Sequence, residues 1–290
     1  MEREIFVLRD GRKFEYLRNG INSDSVIILH AGTMQDLTGW KVWLDRFAAH
    51  DISAIAIGRS GYANSSPKPG RITIDIANDV AEIADNLGIS KMVNIGLSGG
   101  GQHALATGLD PRSVGVVTSG SLAPRAELGD HFFTGMQQAD LDEYADALHD
   151  INDLVNRFKK WLDPEQLTEA LSAEPHPNEA KAQAKESYPI FFNSLFTTMN
   201  AGWDWVADDY SSYLNPWGFD PRDITVPVII WQAGLDLNVP VQHGKWLREN
   251  ITGSQLVLID DESHIGMFIN YENQIMDHCM ELLKAQSNSK

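Results

Sequence analysis

Residues 92–105 run Met92-Val93-Asn94-Ile95-Gly96-Leu97-Ser98-Gly99-Gly100-Gly101-Gln102-His103-Ala104-Leu105. The apolar run Met92 to Ile95 predicts a short buried strand, and the pattern from Gly101 to Leu109 predicts a helix. Between them a serine sits in a G-x-S-x-G arrangement. A tight, strained strand-to-helix turn needs small neighbours if the chain is to reverse while the hydroxyl stays exposed. The helix N-terminus behind the turn also favours developing negative charge.

The same alternation extends in both directions. Upstream, Val26-Ile27-Ile28-Leu29 and Ile52 to Ile57 are apolar on both faces, as central strands are. Trp40 to Ala49 and Ile74 to Leu87 have helical spacing, with Trp40, Trp43, Leu44 and Phe47 on one stripe and Ile76, Val80, Ile83 and Leu87 on the other. Ile5 to Leu8 and Phe14 to Leu17 predict an opening hairpin around Asp10-Gly11. Downstream, Val114 to Val117, Val226 to Trp231 and Gln255 to Ile259 predict strands, and Val241 to Glu249 and Glu272 to Ala285 predict helices. Strands alternating with helices imply an α/β class with a mostly parallel, eight-stranded sheet. The rhythm stops once, from Ser121 to Arg222, where the composition looks helical. The expected organisation is a core of residues 1–120 and 223–290 carrying a helical insertion of residues 121–222.

Composition narrows the function. The chain has 290 residues, 43% of them hydrophobic, with 8 Trp and 11 Phe, enough to bury a large core. Its formal net charge of −17 argues against nucleic acid, which needs a basic face, and against an anionic membrane surface. The single cysteine, Cys279, excludes an intramolecular disulfide and a multi-cysteine metal site, and its place in an amphipathic helix reads as a structural thiol. The N-terminal residues carry no apolar signal segment, and no stretch is long and apolar enough to span a membrane, so a cytoplasmic location is expected.

A serine nucleophile needs a base. Of nine histidines, His264 follows the last predicted strand, at the carboxyl end from which a base can reach the turn. His103 lies on the helix behind Ser98 and is expected to point away; His30 ends a buried strand; His243 and His278 read as helix-surface residues. The imidazole needs an acid to fix its tautomer. Asp236 follows the strand Val228 to Trp231, whereas Asp260 and Asp261 are too close to His264 in sequence to reach its far nitrogen easily. Oxyanion donors are expected from the Gly99 N–H and from the loop His30-Ala31-Gly32-Thr33-Met34, with Gly32 the choice and Thr33 its rival.

Taken together, Leu29-His30-Ala31-Gly32, Arg59-Ser60-Gly61-Tyr62, Gly96-Leu97-Ser98-Gly99-Gly100, Ala233-Gly234-Leu235-Asp236 with Val239-Pro240, and Ser263-His264 resemble the α/β-hydrolase superfamily. The likeness is to its capped branch, which includes esterases, proline iminopeptidases and carbon–carbon bond hydrolases. The order nucleophile, acid, base matches that arrangement. The family's usual glycine at position 31, aspartate at 58 and glycine at 263 are Ala31, Gly58 and Ser263 here.

The resemblance implies that residues 121–222 form a cap. This insertion holds 18 acidic and 7 basic residues, so −11 of the −17 belongs to it. Asp140-Leu141-Asp142-Glu143 and Asp163 to Glu169 read as solvated surface. If an insert acid meets substrate, the Asp204, Asp208 and Asp209 cluster is the candidate. Thr33, Trp203 and Trp205 are expected at the substrate. The function implied is a serine hydrolase of a small ester, thioester or lactone, needing no metal or organic cofactor. The alternatives are an N-terminal proline aminopeptidase, a carbon–carbon hydrolase, or a small-molecule receptor with a retained triad. The expected partner is a small-molecule substrate, not nucleic acid or a membrane; a homodimer is compatible with the sequence but not specified by it.

Overall fold

The computed structural model describes residues 3–160 and 177–285. The acidic run Asp163 to Glu169 lies outside the described residues.

The chain opens with β1 (Arg3–Val7) and β2 (Lys13–Arg18), an antiparallel hairpin in which Leu8 N–H donates to Arg12 C=O at 2.8 Å. Then come β3 (Ser25–His30), α1 (Lys41–Ala49), β4 (Ser53–Gly58), α2 (Asp75–Leu87), β5 (Lys91–Leu97), α3 (Gly101–Thr107) and β6 (Ser113–Ser119). Among the described residues six helices follow: α4 (Arg125–Leu128), α5 (Gln138–His149), α6 (Ile151–Lys160), α7 (Pro177–Gln183), α8 (Ser187–Ala201) and α9 (Asp204–Leu214). The sheet resumes with β7 (Val228–Ala233), α10 (Val241–Asn250), β8 (Gln255–Ile259), α11 (His264–Asn270) and α12 (Glu272–Ala285).

The eight strands lie in the order β1-β2-β4-β3-β5-β6-β7-β8, with β2 antiparallel to β4 and every pair from β4 through β8 parallel. Alternating side chains serve both faces. In β3, Ile27 and Leu29 pack with Trp43, Phe47, Ile275 and Cys279, while Val26 and Ile28 pack with Ile76, Val80 and Ile83 of α2. The Cys279 thiol is part of this core, and burial pushes its pKa up. Among the described residues no helix is long and apolar enough to cross a membrane.

Two histidine expectations change. His243, expected on a helix surface, is fully buried on α10. Its Nδ1 accepts from Ala123 N–H at 3.1 Å, so the proton sits on Nε2, which donates to Phe132 C=O at 2.9 Å. It thereby satisfies two backbone groups of the chain leaving β6. His278 is half-buried, its Nδ1 accepting from the Trp231 indole at 3.1 Å.

The register sets the site. His30 lies opposite Gly96, Leu97 opposite Ser119, Ser119 opposite Trp231, and Ala233 opposite Ile259. The carboxyl ends of β3, β5, β6, β7 and β8 therefore come level. From β3 the chain moves to β4 on one side, then returns to β5 on the other. That reversal of direction opens a crevice at the strand ends.

Candidate active site

Ser98 is the first residue after β5 and takes a left-handed backbone, φ 52°. A non-glycine residue there is strained, and the strain lifts its side chain clear of both strand and helix. The glycines explain how the turn closes. A Cβ on Gly96 would strike the Gly100 carbonyl, and one on Gly100 would strike the His30 and Ala31 carbonyls.

His264 is the first residue of α11, a short helix that follows β8. Ser263 caps it, its hydroxyl accepting from Gly266 N–H at 3.2 Å. The serine at 263 thus has a local role of its own. His264 Nδ1 donates to Asp236 Oδ2 at 2.6 Å, and both residues are buried. Asp236 Oδ1 accepts from Asn238 N–H at 3.0 Å and Val239 N–H at 2.7 Å, so the carboxylate is locked by its own loop. Burial opposes a charged imidazole, but the Asp236 carboxylate outweighs it, and the His264 pKa is raised above 6.5.

Ser98, Gly99, Gly32, Thr33 and His264 all line one cavity of about 280 Å³. Much of its remaining wall is apolar, including Leu97, Leu122, Phe191, Phe192, Leu195 and Val239. A cleft of this size suits a small ligand.

A family model for the alpha/beta hydrolase fold matches residues 24–271. The chain belongs to the alpha/beta hydrolase fold family. Solved structures of similar shape include an esterase from Exiguobacterium antarcticum, 20% identical with a TM-score of 0.68, the alignment covering 97% of this chain and 98% of that one. An enol-lactonase from Burkholderia xenovorans LB400 is 17% identical with a TM-score of 0.67, over 97% of this chain and 100% of that one. A bromoperoxidase from Bacillus anthracis is 17% identical with a TM-score of 0.71, over 98% and 100%. None of the curated protein sequences matches the chain.

Several expected site residues of this α/β-hydrolase sit elsewhere. Trp203 and Trp205 are not at the cavity. Trp205 is buried in aromatic packing, stacked on Phe158 with ring centroids 5.6 Å apart, and its indole donates to Gly202 C=O; Trp203 packs beside it. The Gly32 N–H, expected to face an oxyanion, donates instead to the buried Gln35 side chain at 2.8 Å. The Thr33 N–H has no protein acceptor among the described residues.

The acids are redistributed too. Asp204 is exposed, Asp208 accepts from Lys68 N–H at 2.7 Å, and Asp209 is buried beneath the loop at 30–34. The acids on the cavity wall are Asp140 and Glu143, from a stretch expected to be solvated. Three residues apart on α5, they share a helix face. Glu143 is 7% exposed and accepts from the Tyr210 hydroxyl at 2.6 Å. Burial pushes its pKa up to about 8. Asp140 accepts from Asn238 Nδ2 at 2.9 Å, and its pKa is also raised by burial.

One site residue of this α/β-hydrolase carries no catalytic group and was missed. Gly120 follows β6 with φ 59°, and a Cβ there would lie 2.7 Å from His264 Cε1 and 3.3 Å from Asp236 Oδ2. The Ser119-Gly120 pair at a strand end was the available signal.

Proposed function

We propose that the protein is a serine hydrolase of small esters, thioesters or lactones. Ser98 Oγ attacks the carbonyl carbon while His264 Nε2 takes the hydroxyl proton. Asp236 holds the opposite Nδ1–H and stabilises the imidazolium as it forms. The N–H groups of Gly99 and Thr33 bind the oxyanion, Thr33 taking this part because the Gly32 donor is engaged by Gln35. The imidazolium then protonates the departing alcohol, thiol or ring oxygen. Water, deprotonated by His264, releases the acyl group from Ser98.

The observation that carries this reading is the 2.6 Å His264–Asp236 contact on a cavity shared with a left-handed Ser98. Esterase and enol-lactonase structures among the neighbours support an ester-like substrate. The decisive experiment is hydrolysis of p-nitrophenyl acetate and labelling by a fluorophosphonate. Ser98→Ala should abolish both, and a variant as active as wild type would overturn the reading.

The acids on the cavity wall favour a second reading, an aminopeptidase for N-terminal proline whose free amine meets Asp140 or Glu143. Turnover of a proline anilide in preference to short esters would support it. No anilide turnover alongside ester hydrolysis removes it.

A further inference from the structure

We propose that Asp209, a residue of α9, is the positioning residue of the loop that supplies the second oxyanion donor. The inference rests on the serine-hydrolase reading and adds to it a link between residues 121–222 and the chemistry.

Asp209 is fully buried, and its carboxylate accepts five hydrogen bonds. Oδ1 takes Arg59 Nε at 3.1 Å and an Arg71 nitrogen. Oδ2 takes Arg59 Nη2 at 2.6 Å, the Tyr62 hydroxyl, and the Tyr213 hydroxyl at 2.8 Å. Three of these donors in turn hold consecutive residues of the loop. Arg59 donates to the carbonyls of Ala31 and Gly32. The Tyr213 proton is given to Asp209, so its oxygen accepts from the Thr33 hydroxyl at 2.8 Å. Tyr62 oxygen likewise accepts from Met34 N–H at 3.0 Å. Residues 31 to 34 are thus each tied to a group that rests on one carboxylate. Met34 is itself left-handed, φ 63°, a conformation that needs such support.

Two consequences follow for the donor. The Gly32 carbonyl belongs to the same peptide unit as the Thr33 N–H. A guanidinium on that carbonyl polarises the unit and strengthens the N–H as a donor. Arg71 also donates to His103 Nε2 at 2.9 Å, leaving the His103 proton on Nδ1, which donates to Gly99 C=O at 2.7 Å. The cluster therefore touches both sides of the oxyanion site. Gly58 precedes Arg59 in sequence, and the carboxylate that Arg59 meets comes from Asp209, far along the chain.

The test compares wild type with Asp209→Asn and with Tyr213→Phe, which removes the Thr33 tether and one of the five bonds to Asp209 but leaves the arginine pairing in place. Active serines are counted by stoichiometric phosphonate labelling, so turnover is expressed per competent site. Asp209→Asn should lower kcat per labelled site at least tenfold with KM changed less than threefold, and slow the labelling rate constant in parallel. Tyr213→Phe should lower both several-fold while keeping the wild-type Tm within a few degrees. A purely structural role would reduce Tm and the number of labelled sites but leave turnover per site unchanged. That result in Tyr213→Phe, or in a folded Asp209→Asn, overturns the inference alone. A wild-type protein that neither labels nor turns over an ester overturns the hydrolase reading and this inference with it.

Discussion

His264 Nδ1 lies 2.6 Å from Asp236 Oδ2, with the acid locked by two backbone N–H groups and the imidazole carried on a capped helix. The contact raises the imidazole pKa above 6.5 against the opposing effect of burial. In the proposed mechanism His264 must be neutral to accept the Ser98 proton. The kcat/KM for an ester should therefore rise with pH through a midpoint above 6.5. Asp236→Asn should lower kcat about ten-thousand-fold, because the wrong tautomer is favoured and the imidazolium loses its counter-charge. A midpoint below 6.5 in wild type would contradict the assignment.

Gly120 should tolerate no side chain. Alanine there faces a left-handed backbone and a ring carbon 2.7 Å away. The stability cost should be about 1–3 kcal/mol from the backbone conformation. The displacement of His264 should cost activity about a hundredfold, the scale associated with a misplacement of about 1 Å. Urea unfolding and ester kinetics on Gly120→Ala separate the two effects.

Glu143 makes stability depend on pH. Its pKa rises from 4.5 in the unfolded chain to about 8 in the folded one, chiefly through burial. Between those values the folded protein holds a proton that the unfolded chain has released, so stability falls as pH rises through that window. Glu143→Gln keeps an acceptor for Tyr210 and removes the ionisation. Its advantage over wild type should be absent below pH 4.5 and grow to a few kcal/mol near pH 8, each pKa unit being worth about 1.4 kcal/mol. Parallel stability curves for the two proteins would contradict the argument.

Trp205 should act on stability rather than on substrate. It is 1% exposed and stacked on Phe158. Trp205→Ala should cost about 3–5 kcal/mol, as large core truncations do. Trp205→Phe should change KM for an ester less than twofold. A KM shift specific to substrate length would place the ring at the ligand after all.

The elbow at Ser98 was legible because its signal is local. Two glycines, a serine and the change from strand to helix period all fall within a few residues. His264 and Asp236 were legible for a related reason: each follows a strand whose carboxyl end must face the same edge of a parallel sheet. The helices of residues 121–222 offered no such rule. Their composition announces helices, but which face of a helix meets the core is settled by packing against residues far away in sequence. Asp140 and Glu143 therefore looked solvated, and Trp203 and Trp205 looked available to a ligand. The Gly32 donor was misjudged because Gln35 reaches back over three residues, which no periodicity encodes.

By itself the sequence determined the strand rhythm, the glycine-flanked turn at Ser98 and the place of Asp236 and His264 after strand ends, since backbone conformation and side-chain alternation depend on near neighbours. Only the tertiary structure decided which acids enter the cavity and which carboxylate holds Arg59. Those outcomes depend on how α5 and α9 pack on each other and on the loops beyond the strand ends, and a buried charge takes whichever partner that packing brings within hydrogen-bond reach.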